Sequence, residues 1–164
     1  DSNWVWTVKE QPLDEGINAS TLRTIDGVVS LFDYNKLRSA SRISIARTFI
    51  HELVHTYLLL YFRYDSNASK EYPDIKEEWL SSSNPDLNEI HHAEMARSFV
   101  HDIAIALKEY AHNTGGDYND TFYDDLAWAG LDYEDKDELK QKDKFRIKQT
   151  IRSEQLGTDT VSSL

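Results

Sequence analysis

Ile45-Ala46-Arg47-Thr48-Phe49-Ile50-His51-Glu52-Leu53-Val54-His55 is the stretch on which the reading of this chain turns. Around it, Ile43, Ala46, Ile50, Leu53, Val54, Tyr57 and Leu58 recur at helical spacing, so a helix is expected from about Ser39 to about Phe62. Apolar residues cover most of its circumference, which places it inside the core. Its apolar end, Leu58-Leu59-Leu60-Tyr61-Phe62, is the longest such run and stops at Arg63. That is far short of the ~20 apolar residues a membrane span requires.

Within this helix, His51 and His55 stand four residues apart and therefore on one face. Two imidazoles so placed can both turn a nitrogen toward a single metal ion. Glu52 lies about 100° around from His51. It flanks the ion without ligating it, where it can hydrogen-bond a water and take its proton. A chance HExxH is rare, and burying His51, Glu52 and His55 in an apolar helix without a partner would be costly. A shared metal ion, expected to be zinc, removes that cost for all three.

A catalytic zinc takes three protein ligands and keeps a position for water. After His55 the sequence runs Thr56-Tyr57-Leu58-Leu59-Leu60, which excludes the extended metzincin pattern. The candidates for the third ligand are His91, His92 and Glu94, at the start of a second helix expected from about Asp86 to Tyr110. Its apolar stripe comprises Ala96, Phe99, Val100, Ile103, Ala106, Leu107 and Tyr110. His92 falls near the centre of that stripe, His91 about 100° to its flank, and Glu94 on nearly the opposite face. His92 is therefore the expected ligand, with His91 second, or else a residue that supports a ligand or lies exposed, and Glu94 solvated. His101 and His112 lie off the stripe and read as surface residues.

Further out, Trp4 to Val8 is rich in strand formers, and Thr21 to Ile25 and Val28 to Phe32 flank Asp26-Gly27, a two-residue hairpin turn. Asp65 to Asn84 reads as a polar loop, suited to a lid or an exosite. Beyond Gly115-Gly116, a short helix is expected near Asp120 to Trp128, ending at Gly130. The charged remainder from Tyr133 reads as helical, with apolar positions at Leu139, Phe145, Ile147, Ile151 and Leu156. Residues 158–164 read as frayed. The expected class is α+β: a small antiparallel or mixed N-terminal sheet on the HExxH helix and a second long helix, with a helical C-terminal part. One domain is expected over residues 1–164.

The 164 residues carry 29 acidic and 18 basic side chains, a formal net charge of -11. That sign disfavours a nucleic-acid partner. The absence of cysteine removes disulfides, thiolate zinc ligands and cysteine nucleophiles. The chain opens at Asp1 without methionine or a signal-like segment, as a trimmed or mature domain would, so a cytoplasmic and an exported location both fit.

These segments resemble zincin metallopeptidases, specifically the small bacterial zinc metallopeptidases of the SprT-like or minimal-zincin kind. The likeness rests on Ile45 to His55, on His91-His92-Ala93-Glu94-Met95-Ala96, and on Tyr123-Asp124-Asp125-Leu126-Ala127-Trp128-Ala129-Gly130-Leu131. It implies a zincin-like fold, His51, His55 and a histidine of the His91-His92 pair as ligands, and Glu52 as base. It also implies that a strand near Val28 to Phe32 forms the edge beside the cleft and holds an extended peptide. Two departures stand out: no cysteines for the second zinc module of some SprT-like proteins, and a charge that suits DNA-linked roles poorly.

The function expected from the sequence is zinc-dependent hydrolysis of a peptide bond in a peptide or protein substrate, with Glu52 as general base. Tyr123, Tyr133 and Arg47 are candidates to stabilise an anionic intermediate, Tyr123 foremost. Two alternatives stand beside it: a non-catalytic domain that keeps zinc for stability, and a protease-type toxin or effector domain with one dedicated target.

Overall fold

The computed structural model describes residues 5–64 and 87–156. Over them the chain is α+β, with a three-stranded mixed sheet followed by helices. Strands β1 (Trp6–Glu10), β2 (Ala19–Thr24) and β3 (Gly27–Phe32) lie in the order β1-β3-β2. β1 runs parallel to β3, and β2 pairs with it antiparallel. Helix α1 (Tyr34–Leu37) follows, then the long helix α2 (Arg42–Tyr64). After the undescribed stretch come α3 (Leu87–Glu94), one π-helical turn (Met95–Phe99), α4 (Val100–Asn113), α5 (Asp120–Leu126) and α6 (Gln141–Gln155). The expected loop from Asp65 to Asn84 and the frayed end from Thr158 to Leu164 lie outside the described residues.

The β2–β3 hairpin forms one residue earlier than expected. Thr24 pairs with Gly27, so the two loop residues are Ile25 and Asp26. Gly27 serves a different need. At φ +148° it lies against the Val5 carbonyl, where a Cβ would collide with that oxygen. Val28 N donates to Val5 O at 3.0 Å, which brings β1 alongside.

β3 is the central strand, so the expectation that it forms the edge beside the cleft is overturned. Among the described strands, β2 is the edge on that side. Strand order is fixed by pairing between distant residues, and β1 takes the side of β3 that local sequence leaves open.

The sheet docks on α2 through a chain of hydroxyls. Trp6 Nε1 donates to Ser30 Oγ at 3.0 Å, and Ser30 Oγ lies 2.6 Å from Thr21 Oγ1 and 3.3 Å from Thr56 Oγ1. Thr56 Oγ1 in turn donates to the Glu52 carbonyl at 2.9 Å. These polar groups are buried in pairs, so none carries the penalty of an unmade bond.

On its other side α2 packs against α4 and α5, where Ile43 and Ala46 meet Ile103, Ala104, Leu107, Ala111, Tyr123 and Leu126. A second cluster joins Leu58 to Met95, Ala96 and Leu131. Leu58, Leu107 and Leu126 have no exposed surface. Burial of each stabilises the fold by about 1.5–3 kcal/mol. The helix is nevertheless not wholly internal as expected. Ile45, Phe49, Leu53 and Tyr57, each four residues from the last, are 38–42% exposed. Two packed faces leave this third one at the surface.

No helix among the described residues is long and apolar enough to cross a membrane.

Candidate metal centre

His51 and His55 sit in mid-α2, and His91 and His92 in the last turn of α3. The Nε2 atoms of His51, His55 and His92 form a triangle with sides of 3.0, 3.1 and 3.2 Å. Their ring centroids are 4.9–5.0 Å apart. The nitrogens are thus the nearest points of the three rings, and their tips converge. Tetrahedral zinc, with Zn–N about 2.0–2.1 Å, sets its ligand nitrogens about 3.3–3.4 Å apart. The triangle is within a few tenths of an ångström of that spacing, and these three residues form a group able to hold a metal ion.

The protonation states agree with the geometry. Burial, then His92 and Arg47, pushes His51 down to about 3. Burial and the surrounding histidines push His55 down to about 2. Neutral imidazoles carry the lone pairs that a metal needs. Three converging neutral rings cannot all satisfy one another by hydrogen bonds, because each has a single N–H. A cation at their centre resolves the conflict.

His91, the second choice for third ligand, is 4% exposed and stands behind the triangle. Its Nδ1 lies 3.1 Å from His55 Nδ1. With His55 Nε2 turned to the metal position, His55 Nδ1–H donates to His91 Nδ1. His91 therefore holds the His55 ring in orientation and fixes its tautomer. Burial and His92 push its own pKa down to about 4, so it too stays neutral.

Glu94 corrects an expectation. It is 2% exposed rather than solvated, and accepts hydrogen bonds from Arg97 and Ser98 of the following turn. The π-helical turn at Met95–Phe99 explains the difference, since one extra residue shifts the phase of the helix between its two halves. Glu94 takes no part in the metal-ligand group. His101 and His112 are exposed, as expected.

Glu52 is 5% exposed, and its Oε2 has no hydrogen-bond partner among the described residues. Burial raises its pKa, and the Thr21 hydroxyl opposes that shift. A carboxylate whose affinity for a proton is raised in this way suits a general base.

These residues border a cavity of about 690 Å³. One wall is α2, with Arg47, Thr48, His51, Glu52, His55 and Leu59; the facing wall is Gly16 to Arg23, which includes most of edge strand β2. The segment before β2 is clamped in place by Lys36, whose Nζ donates to the carbonyls of Leu13, Asp14 and Ile17. Gly130, at φ +87°, closes the cavity near His51, and a Cβ there would stand 3.3 Å from His51 Cε1. Gly130 was expected only as the end of a helix. Its closeness to the His51 ring is a tertiary feature with no local signal.

Tyr123, the foremost candidate to stabilise an anion, is not brought to this cavity. It is 3% exposed in the core, and its hydroxyl oxygen accepts a bond from Tyr118 N at 3.1 Å. Tyr133 is likewise not among the cavity residues, whereas Arg47 is. The residues that sequence reasoning missed are Thr21, Ser30 and Thr56, which tie the sheet to the HExxH helix. Compared with protein-family models, curated proteins and solved structures, the chain matches none of them.

Proposed function

We propose that this chain is a zinc-dependent hydrolase acting on peptide bonds, a zincin-like metallopeptidase. The observation that carries the reading is the convergence of three Nε2 atoms beside Glu52, a buried carboxylate with an unpartnered oxygen, in one cavity. His51, His55 and His92 would hold the ion. When bound, zinc supplies Lewis acidity that polarises a carbonyl and makes a water a stronger acid.

The protein's own groups do the rest. Glu52 Oε2 accepts a proton from the attacking water and returns it to the leaving amine. His91 keeps His55 oriented. β2 supports a peptide substrate in particular, because a strand at the edge of the described sheet, lying along a cavity, can hold an extended chain by main-chain hydrogen bonds. The hydroxyls of Ser30 and Thr56 keep that edge in register with α2.

The rival reading, a zinc ion kept only for stability, predicts four protein ligands and no open position. Among the described residues only three donors converge, and His91 turns its Nδ1 to His55 rather than to the group.

The test is zinc content and turnover of a generic protein substrate in the parent and in Glu52→Gln. One zinc per chain in both is expected, with turnover reduced about 10²–10⁴-fold in the variant. Equal, nonzero turnover in both would reject Glu52 as the base.

A further inference from the structure

The chain carries 29 acidic and 18 basic residues, yet its cavity reverses that balance. Among the described residues lining it, Arg23 and Arg47 are cationic and Glu52 is the sole carboxylate. A divalent ion at the three histidines would make this pocket more positive still. Arg47 is the more informative of the two cations. It lies four residues before His51 on α2, about 6 Å along the axis and on the same face. Its Nε is buried without a hydrogen-bond partner among the described residues.

Burial disfavours the charge on Arg47, and Glu154 opposes that effect from a distance. Glu154 is itself 3% exposed, takes a 2.7 Å bond from Ser41 Oγ on one oxygen, and leaves Oε2 unpartnered. The two groups attract each other, but neither satisfies the other. A guanidinium held at a cavity wall with donors to spare is suited to a carboxylate, which its fork can grip with two parallel bonds.

We propose that Arg47 is a substrate-recognition residue, and that the cavity selects peptides presenting a carboxylate within one or two residues of the scissile bond. This specificity rests on the peptidase reading, but the anion site itself does not. A carboxylate can come from an acidic side chain or from a chain terminus, and the two sources call for separate arms of the test.

The experiment uses the full chain, with and without zinc. The Arg47 Nε–H resonance, assigned by its loss in Arg47→Lys, is followed during titration with three probes. They are N-acetyl-glutamate amide, N-acetyl-alanine and the uncharged N-acetyl-alanine amide. In parallel, turnover is compared for peptides differing only in Glu against Gln, or in a free against an amidated C-terminus. At least one acid probe is expected to shift the resonance and the uncharged probe is not. Binding of that probe should weaken about tenfold or more in Arg47→Gln. Arg47→Lys should recover part of the affinity. The acid that binds identifies the source, and the matching peptide pair should show the preference.

Failure of every acid probe to shift the resonance would overturn the inference, as would equal binding by the parent and Arg47→Gln. Should Arg47→Gln not fold, the parent titration and Arg47→Lys still decide. Carboxylate binding through Arg47 with no turnover of any peptide would sink the peptidase reading and leave the anion site standing. Turnover without a charge preference, and without a shift, would remove this inference alone.

Discussion

Two buried polar clusters in this protein, one between α5 and α6 and one between α2 and α3, answer the same physical problem in opposite ways. Asp125 is 1% exposed, and both its oxygens are satisfied. Arg146 reaches it through Nε and Nη2 at 3.0–3.1 Å, and Thr150 Oγ1 donates at 3.0 Å. The cluster is closed and ties α5 to α6. In the histidine cluster, three Nε2 atoms crowd to 3.0–3.2 Å and Glu52 Oε2 has no partner. A buried polar group left unpaired costs about 1–3 kcal/mol. The first cluster is complete within the chain, whereas the second leaves Glu52 Oε2 unpartnered among the described residues, as the proposed metal site requires. Completeness of hydrogen bonding thus separates the two clusters more sharply than burial does.

The contrast breaks most directly at the ligands. His92→Ala should abolish stoichiometric zinc binding, whereas His91→Ala should weaken it by about 10–100-fold, as expected for a residue that orients a ligand. Isothermal titration or competition with a chromophoric chelator measures both. Loss of the metal in His91→Ala alone would reverse their roles.

Next in size is the closed cluster. Asp125→Ala leaves Arg146 and Thr150 without their acceptor. Arg146 is about half exposed and can turn to water, so the expected loss is about 2–3 kcal/mol of stability. Chemical denaturation should register it, with zinc affinity of the folded protein unchanged. A large change in zinc affinity would show that the two clusters are coupled.

The smallest effect per group is the pH dependence of the zinc-free protein. His51, His55 and His91 all have folded pKa values held below the ordinary 6.5. Between those values and 6.5 the unfolded chain binds more protons, so stability falls as pH drops below about 6.5. The slope is about 1.4 kcal/mol per pH unit for each proton taken up. Above 6.5 these groups contribute no slope. Glu52, with its raised pKa, works in the opposite direction, one carboxyl against three imidazoles. Denaturation midpoints between pH 5 and 8 should therefore decline toward the acid end. Saturating zinc should raise the midpoint at pH 7, and that gain should shrink as the ligands protonate toward the acid end.

How much of this was legible in the sequence depended on the range of each interaction. His51, Glu52 and His55 could be read because their relation is internal to one helix. His92 also reached the site, though its expected placement assumed an unbroken helix from Asp86 to Tyr110. The π-helical turn at Met95–Phe99 lies inside that span. It turned Glu94 inward, which simple helical phase did not foresee. β2 as the edge strand, Gly130 against His51, and Asp125 with Arg146 all depend on contacts between elements. For those, residue type gives a candidate but no partner, and Tyr123 shows the consequence. Its type suited an anion stabiliser, while its position made it core.

The central claim is that three histidines hold a zinc ion and leave a position open beside Glu52. A crystal structure of the zinc-loaded protein, with the metal located by anomalous scattering, tests it most directly. The expected result is one zinc bound by Nε2 of His51, His55 and His92, with a non-protein ligand facing Glu52. A fourth protein ligand closing the site, or zinc bound away from these three nitrogens, would contradict it.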